Sequence, residues 1–140
     1  MTLLDSNLIV YSINNSSPKQ SRAQEYIIRN SKNLCLSHQN ILESIRVLTH
    51  PKFVAPMRVE VASRAVWAIA SSLTLIAPNI ETIFVFREFI GKYRFTGNKI
   101  FDAYLVATAM TNGVFSIATD NINDFRKFEE ISVINPFLVK

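Results

Sequence analysis

At 140 residues, of which 49% are hydrophobic, the chain has the size and apolar content of one globular domain over residues 1–140, not those of a disordered protein. Its net charge of +4 and pI near 9.4 favour an anionic partner such as a nucleic acid. The most apolar stretch, at 65–77, is shorter than the roughly 20 residues of a membrane span, and the first residues lack the basic leader of an export signal. Composition therefore argues against a membrane protein.

In chain order, the apolar patterns predict a strand at 2–4, a helix after Asp5, a helix at 17–30, a strand at 34–37, helices at 38–48 and 56–72, a strand at 73–76, helices at 82–93 and 100–112, and strands at 114–118 and 131–134. Pro18 and Pro56 suit the first turns of their helices, and Asn112-Gly113 suits a C-cap. Strands that alternate with helices predict an α/β fold with a mostly parallel sheet of about five strands and helices on both faces.

Cysteine and histidine are too scarce for most kinds of metal site. The single Cys35 cannot form an internal disulfide, which favours a reducing cytoplasm. The two histidines, His38 and His50, do not have zinc-type spacing. A hard cation with oxygen ligands is the kind of metal that the sequence could hold.

The four aspartates lie where a parallel sheet is expected to bind its ligand, outside the carboxyl ends of the strands. Asp5 follows the first predicted strand, and Asp120 follows the fourth, with Asp124 close behind. Asp102 lies in the first turn of a helix, and Glu43 in the helix after the second strand. Singly, each could be a helix cap, an Asx-turn, a dipole residue or a solvated side chain. Together they predict a carboxylate cluster that a divalent cation such as Mg²⁺ would neutralise.

Four segments carry a resemblance to a known family. They are LLDSN at 3–7, NILESIRVLTHP at 40–51, GNKIFDAYLVATAM at 97–110 and IATDNINDFRKF at 117–128. In this order and spacing they resemble a PIN-domain protein, most like the VapC-type toxins of bacterial toxin-antitoxin operons. The resemblance implies a three-layer α/β/α sandwich and an endoribonuclease that depends on Mg²⁺ or Mn²⁺.

The resemblance also assigns site residues. Asp5, Glu43 and Asp102 fall on the family's acidic motif positions. The last motif is longer here than in many relatives, so Asp120 and Asp124 both remain candidates for the fourth carboxylate. The hydroxyls of Ser6 and Thr119 fall beside the metal site, with the amides of Asn7 and Asn121 next to them.

Basic residues near these motifs are candidates for RNA contacts: Arg46, Lys92, Arg94 and Lys99. Each has an alternative, because Arg46 lies three residues after Glu43 and could pair with it, and the others flank a charged loop. The expected partners are an RNA substrate, a cognate antitoxin protein and a second copy in a homodimer, without a membrane. A patch on the helices at 59–69 and 84–90 is expected to bind the antitoxin. The alternative function is a non-catalytic PIN-fold scaffold that binds RNA or protein.

Overall fold

A sheet of five short parallel strands lies at the centre of the computed structural model, which describes residues 1–138. The strands are β1 (Thr2–Leu4), β2 (Leu34–Ser37), β3 (Thr74–Ile76), β4 (Ser116–Ala118) and β5 (Ser132–Ile134). Their order is β3-β2-β1-β4-β5, and Leu3 of the central strand is in register with Cys35 of β2 and Ile117 of β4. The predicted parallel sheet is confirmed.

Within residues 1–138, seven α-helices cover the two faces of this sheet. They are α1 (Ser6–Ile13), α2 (Gln20–Asn30), α3 (His38–Thr49), α4 (Val59–Ala70), α5 (Thr82–Tyr93), α6 (Lys99–Thr111) and α7 (Ile122–Phe125), and a short 3₁₀ helix spans Ser31–Asn33. Because side chains alternate across a strand, Leu4 and Leu36 pack against α1–α4, whereas Leu3 and Cys35 pack against α5–α7. The result is a three-layer α/β/α sandwich. Within residues 1–138, no helix combines the length and the apolarity needed to cross a bilayer.

Two helices start later than their prolines predict. α2 begins two residues after Pro18, and α4 begins three residues after Pro56. Before α4, the backbone N–H of Met57 donates to the carbonyl oxygen of Leu48 at 2.8 Å, which ties this segment to the end of α3. The predicted C-cap of α6 is confirmed: Asn112 is the cap residue, and Gly113 follows with a φ of 75°. The short helix α7 was not predicted.

The expected antitoxin patch draws on two helices that lie in different layers. α4 packs on one face of the sheet and α5 on the other. Trp67 is 50% exposed on α4, and Phe84 is 48% exposed on α5. The sequence shows the amphipathic pattern of each helix but not the face of the sheet on which it packs.

Candidate active site

Asp5 lies at the carboxyl edge of the sheet, immediately after β1, and only 7% of it is exposed. Its Oδ1 accepts the backbone N–H of Ser6 at 2.8 Å, so it is the N-cap of α1, and its Oδ2 accepts the Thr119 hydroxyl at 2.7 Å. Burial raises the pKa of Asp5 to about 6; the two hydrogen bonds oppose this rise, and the charges of Glu43 and Asp124 add to it. Asp5 is therefore a helix cap, one of the alternatives that the sequence left open. The same side chain is also close enough to Glu43 and Asp124 for their charges to raise its pKa.

The Thr119 hydroxyl fixes the orientation of Asp5. The side-chain amide of Asn7 donates to Thr119 Oγ1 at 3.1 Å, and the backbone N–H of Asn121 donates to the same oxygen at 3.0 Å. Both lone pairs of this oxygen are then in use, so its single proton is directed to Asp5. Thr119 and Asn7 thus meet beside the carboxylate, whereas Asn121 contributes its backbone rather than its amide to this contact.

Glu43 approaches Asp5 from α3 and is tied to it through Ser6. Its Oε2 accepts the Ser6 hydroxyl at 3.0 Å, and its Oε1 accepts the side-chain amide of Gln39 at 3.1 Å. The same Gln39 nitrogen donates to the carbonyl oxygen of Phe101 at 2.9 Å. Gln39 therefore joins α3 to α6 next to the carboxylates. Gln39 was not among the residues predicted for the site, although its position four residues before Glu43 places both side chains on one face of α3.

Asp102 is half-buried in the first turn of α6. Burial is the main cause that raises its pKa to about 7. The charge of Asp124 adds to this rise, as do those of Asp5 and Glu43, while the ammonium of Lys99 opposes it. Four carboxylates from separate parts of the chain therefore interact electrostatically at one edge of the sheet.

Asp120 is occupied elsewhere. Its Oδ2 accepts the Tyr11 hydroxyl at 2.9 Å and forms an ion pair with the Lys19 ammonium, and its Oδ1 accepts the Asn135 amide at 3.4 Å. Burial acts to raise the pKa of Asp120, but the hydrogen bonds from Lys19 and Tyr11 and the Lys19 charge outweigh it and hold the pKa below its ordinary value. These contacts join the end of β4 to α1 and to the segment after β5.

Asp124 is also paired with a lysine, but its charge acts on the other acids. Its Oδ1 accepts the Lys99 ammonium at 3.3 Å, its Oδ2 accepts the side-chain amide of Asn121, and its charge raises the pKa of both Asp5 and Asp102. Of the two candidates for the fourth carboxylate, Asp124 is the one whose charge acts on the other acids.

A cleft of about 510 Å³ opens between α3 and α6, and two of these acids, Glu43 and Asp102, line it. It is lined by Gln39, Leu42, Glu43, Arg46, Asn98, Phe101 and Asp102. Phe101, which was not among the predicted site residues, is 61% exposed and lines this cleft. Arg46 does not pair with Glu43: within residues 1–138 it forms no ion pair with any carboxylate.

The other basic candidates are placed differently. Lys99 lies at the site through its contact with Asp124. Lys92 instead pairs with Glu129 and Glu130, at 3.0 Å and 3.1 Å. Arg94 is exposed at the end of α5 with a φ of 57°. The structure therefore brings Arg46 and Lys99 to the carboxylates, while Lys92 is paired with two other acids.

The acids fit a hard divalent cation by their donor chemistry. Mg²⁺ and Mn²⁺ prefer carboxylate oxygens, and carboxylates that raise one another's pKa are stabilised by a cation between them. Within residues 1–138, no three acidic, histidine or cysteine side chains already have the spacing of a metal site. Mg²⁺ usually keeps several waters and binds proteins through one or two carboxylates, so Asp5 and Glu43, which Ser6 links, would suffice to hold an ion.

The fold has an all-parallel sheet between two helical layers, and its acids lie at the carboxyl edge of that sheet. These two features are typical of an α/β/α nuclease-like domain with an acidic site. The PIN domain model matches residues 2–131, and the chain belongs to this family. It is similar to Ribonuclease VapC48 of Mycobacterium tuberculosis, with 28% identity over 144 residues that cover 95% of each chain.

Solved structures confirm the fold. VapBC2 from Rickettsia felis, bound to a DNA fragment from its promoter, is 19% identical, with a TM-score of 0.72 over 96% of this chain and 97% of that chain. DNA-bound VapBC from Salmonella typhimurium is 20% identical, with a TM-score of 0.71 over 97% of this chain and 99% of that chain. The predicted fold class and the resemblance to VapC-type proteins are both confirmed.

The two candidates for the fourth carboxylate predict different behaviour. We expect Asp124→Asn to raise the Mg²⁺ concentration that half-maximally stabilises the protein by about tenfold, because one anionic ligand is lost. We expect Asp120→Asn to leave that concentration unchanged and to lower the melting temperature by a few degrees, because the Lys19 ion pair is lost. Thermal melts over an Mg²⁺ titration measure both effects. A larger Mg²⁺ requirement for Asp120→Asn alone would assign the fourth position to Asp120.

Proposed function

We propose that residues 1–140 form one PIN-type domain that cleaves RNA phosphodiester bonds with Mg²⁺ or Mn²⁺. The observation that carries the proposal is that Ser6 links Asp5 to Glu43 and that Glu43 and Asp102 line one cleft, while the charges of Glu43 and Asp124 raise the pKa values of Asp5 and Asp102. It has support from the PIN family match and from the relative named Ribonuclease VapC48. The cytoplasm is the proposed location.

Different side chains have different roles in the proposed reaction. Asp5, Asp102 and Asp124 would hold the cation, with Glu43 beside them, and the Thr119 hydrogen bond keeps Asp5 oriented. The bound cation would lower the pKa of an attacking water and neutralise charge on the phosphate. Arg46, which is free of carboxylate partners within residues 1–138, would bind an RNA phosphate in the cleft.

We further propose that the protein is the toxin of a toxin-antitoxin pair and forms a homodimer. Support comes from solved structures of the same fold, which include a toxin-antitoxin complex from Klebsiella pneumoniae that is 14% identical, with a TM-score of 0.71. A mostly apolar groove of about 320 Å³ between α1, α2 and α4, in which Ile28 is 74% exposed, is a suitable surface for an antitoxin segment.

Expression in a bacterial host tests this function. We expect induction to arrest growth and to produce cleaved RNA, because an uninhibited nuclease destroys transcripts, and we expect co-expression of the antitoxin gene to relieve the arrest. Induction of Asp102→Asn to the same protein level is the control and should leave growth unaffected. Normal growth with intact RNA, despite abundant folded wild-type protein, would contradict the toxin function and favour the scaffold.

A further inference from the structure

A stripe of polar side chains on α3 continues beyond the carboxylate cleft. Gln39, Glu43, Arg46 and His50 follow one another at intervals of four, three and four residues, so they lie along one face of the helix. Glu43 belongs to the acidic cluster, and His50 is the C-cap residue of α3. At a rise of 1.5 Å per residue, the stripe extends about 10 Å from Glu43 to His50.

A second pocket, of about 320 Å³, lies at this far end and shares Arg46 with the cleft. It is lined by Arg46, Val47, His50, Lys52 and Phe53, and we call it the α3 end pocket. No carboxylate is among these residues, and within residues 1–138 neither Arg46 nor Lys52 forms an ion pair. The pocket therefore has two cationic side chains that are available to an anion.

The backbone around His50 orients its ring. His50 Nδ1 accepts the backbone N–H of Lys52 at 3.0 Å, and the backbone N–H of Phe53 donates to the His50 carbonyl oxygen at 2.9 Å. Because Nδ1 is an acceptor, the neutral ring carries its proton on Nε2, which can donate to a ligand. The half-buried ring of Phe53 adds an aromatic surface beside this donor and the two cations.

We propose that the α3 end pocket binds a nucleotide of single-stranded RNA whose neighbouring phosphodiester lies at the carboxylates, a proposal that rests on the proposed nuclease function. Arg46 and Lys52 would bind phosphates, His50 would donate to a phosphate or base oxygen, and Phe53 would stack on a base. The partial negative charge of about half a unit at the C-terminal end of α3 opposes an anion, but two full positive charges outweigh it. The aromatic ring and the continuity with the cleft favour RNA over an acidic peptide.

The test measures RNA binding without cleavage. A fluorescent single-stranded RNA pool of 12 random nucleotides is titrated in EDTA, and its anisotropy is recorded at several salt concentrations. We expect Lys52→Gln to weaken binding several-fold and to reduce the slope of log affinity against log salt by about 0.7, the value for one lost contact to a single strand. Phe53→Leu, which keeps an apolar side chain, should weaken binding and leave the slope unchanged.

Lys32→Gln is the matched control. It removes the same charge from an exposed residue that lines neither the carboxylate cleft nor the α3 end pocket, and it should bind RNA like the wild type. If Lys52→Gln binds with the wild-type affinity and slope, the pocket assignment is overturned. Competition by polyglutamate as effective as that by polyuridylate would also overturn it, in favour of an acidic peptide.

Different results would refute the α3 end pocket and the proposed nuclease function. A wild-type protein that cuts RNA in Mn²⁺ while Lys52→Gln binds normally would refute the pocket and keep the nuclease. A wild-type protein that binds RNA with the expected effects of Lys52→Gln and Phe53→Leu, but cuts none in Mg²⁺ or Mn²⁺, would keep the pocket as an RNA site and refute the nuclease.

Discussion

Replacement of Asp102 with Asn is expected to slow RNA cleavage in Mg²⁺ by about a thousandfold or more, which corresponds to roughly 4 kcal/mol of lost transition-state stabilisation. The change removes one anionic oxygen from the acidic cluster and keeps the size of the side chain. The rate is measured on purified protein with a labelled RNA, and EDTA should abolish the wild-type activity. Retention of most of the wild-type rate by Asp102→Asn would contradict the proposed site.

Asp120→Asn is the matched control for this experiment. It makes the same chemical change on an aspartate that pairs with Lys19 and Tyr11, away from the cluster, so its cleavage rate at saturating Mg²⁺ should stay close to the wild-type rate. The Asp5→Asn variant is less suitable as a test of the metal site, because it also changes a hydrogen bond that holds the fold together. An asparagine caps a helix as well as an aspartate does, but its NH₂ group would meet the proton that Thr119 directs at Oδ2. We therefore expect Asp5→Asn to lose activity and some stability together.

The features that the sequence predicts well are those that depend on local patterns of apolar residues. Continuous apolar runs such as Leu34–Ser37 predicted the strands, and the α/β alternation predicted the sheet that brings Asp5 and Thr119 to one edge. Helix starts were less accurate because distant contacts decide them: α4 begins only after the Met57 backbone has bonded to Leu48.

The choice between Asp120 and Asp124 is the same kind of problem. Both follow β4 closely, and nothing within the motif separates them. Lys19 and Tyr11, about a hundred residues earlier in the chain, neutralise Asp120 and leave Asp124 to act on the other acids. The pairing of Lys92 with Glu129 is equally non-local. Such pairings depend on which loops meet in three dimensions, and a single sequence does not contain that information in readable form.

The second large effect expected of the acidic cluster is a loss of stability as pH rises without metal. The pKa values of Asp102 and Asp5 are raised in the folded protein to about 7 and about 6, from an ordinary value of 3.8. The folded state therefore binds protons more tightly than the unfolded state, and the free energy of unfolding falls as pH rises from about 4 to about 7. For the buried Asp5 alone, a shift of about 2 units corresponds to roughly 3 kcal/mol at most. Asp120 has a lowered pKa, so its contribution is lost only below pH 4 and lies outside this window.

Thermal melts of the wild type and Asp102→Asn at pH 5 and pH 8 measure this effect. In EDTA, we expect the wild type to melt several degrees lower at pH 8 than at pH 5, and Asp102→Asn to melt higher than the wild type at pH 8, because one repelling charge is gone. Millimolar Mg²⁺ at pH 8 should raise the melting temperature of the wild type and barely change that of Asp102→Asn, since a ligand that binds only the folded state stabilises it. The contrary result is a wild-type melting temperature that neither Mg²⁺ nor Mn²⁺ changes, together with an Asp102→Asn variant that melts lower than the wild type in EDTA. These acids would then be structural caps and turn residues, and the carboxylates would not form a metal site.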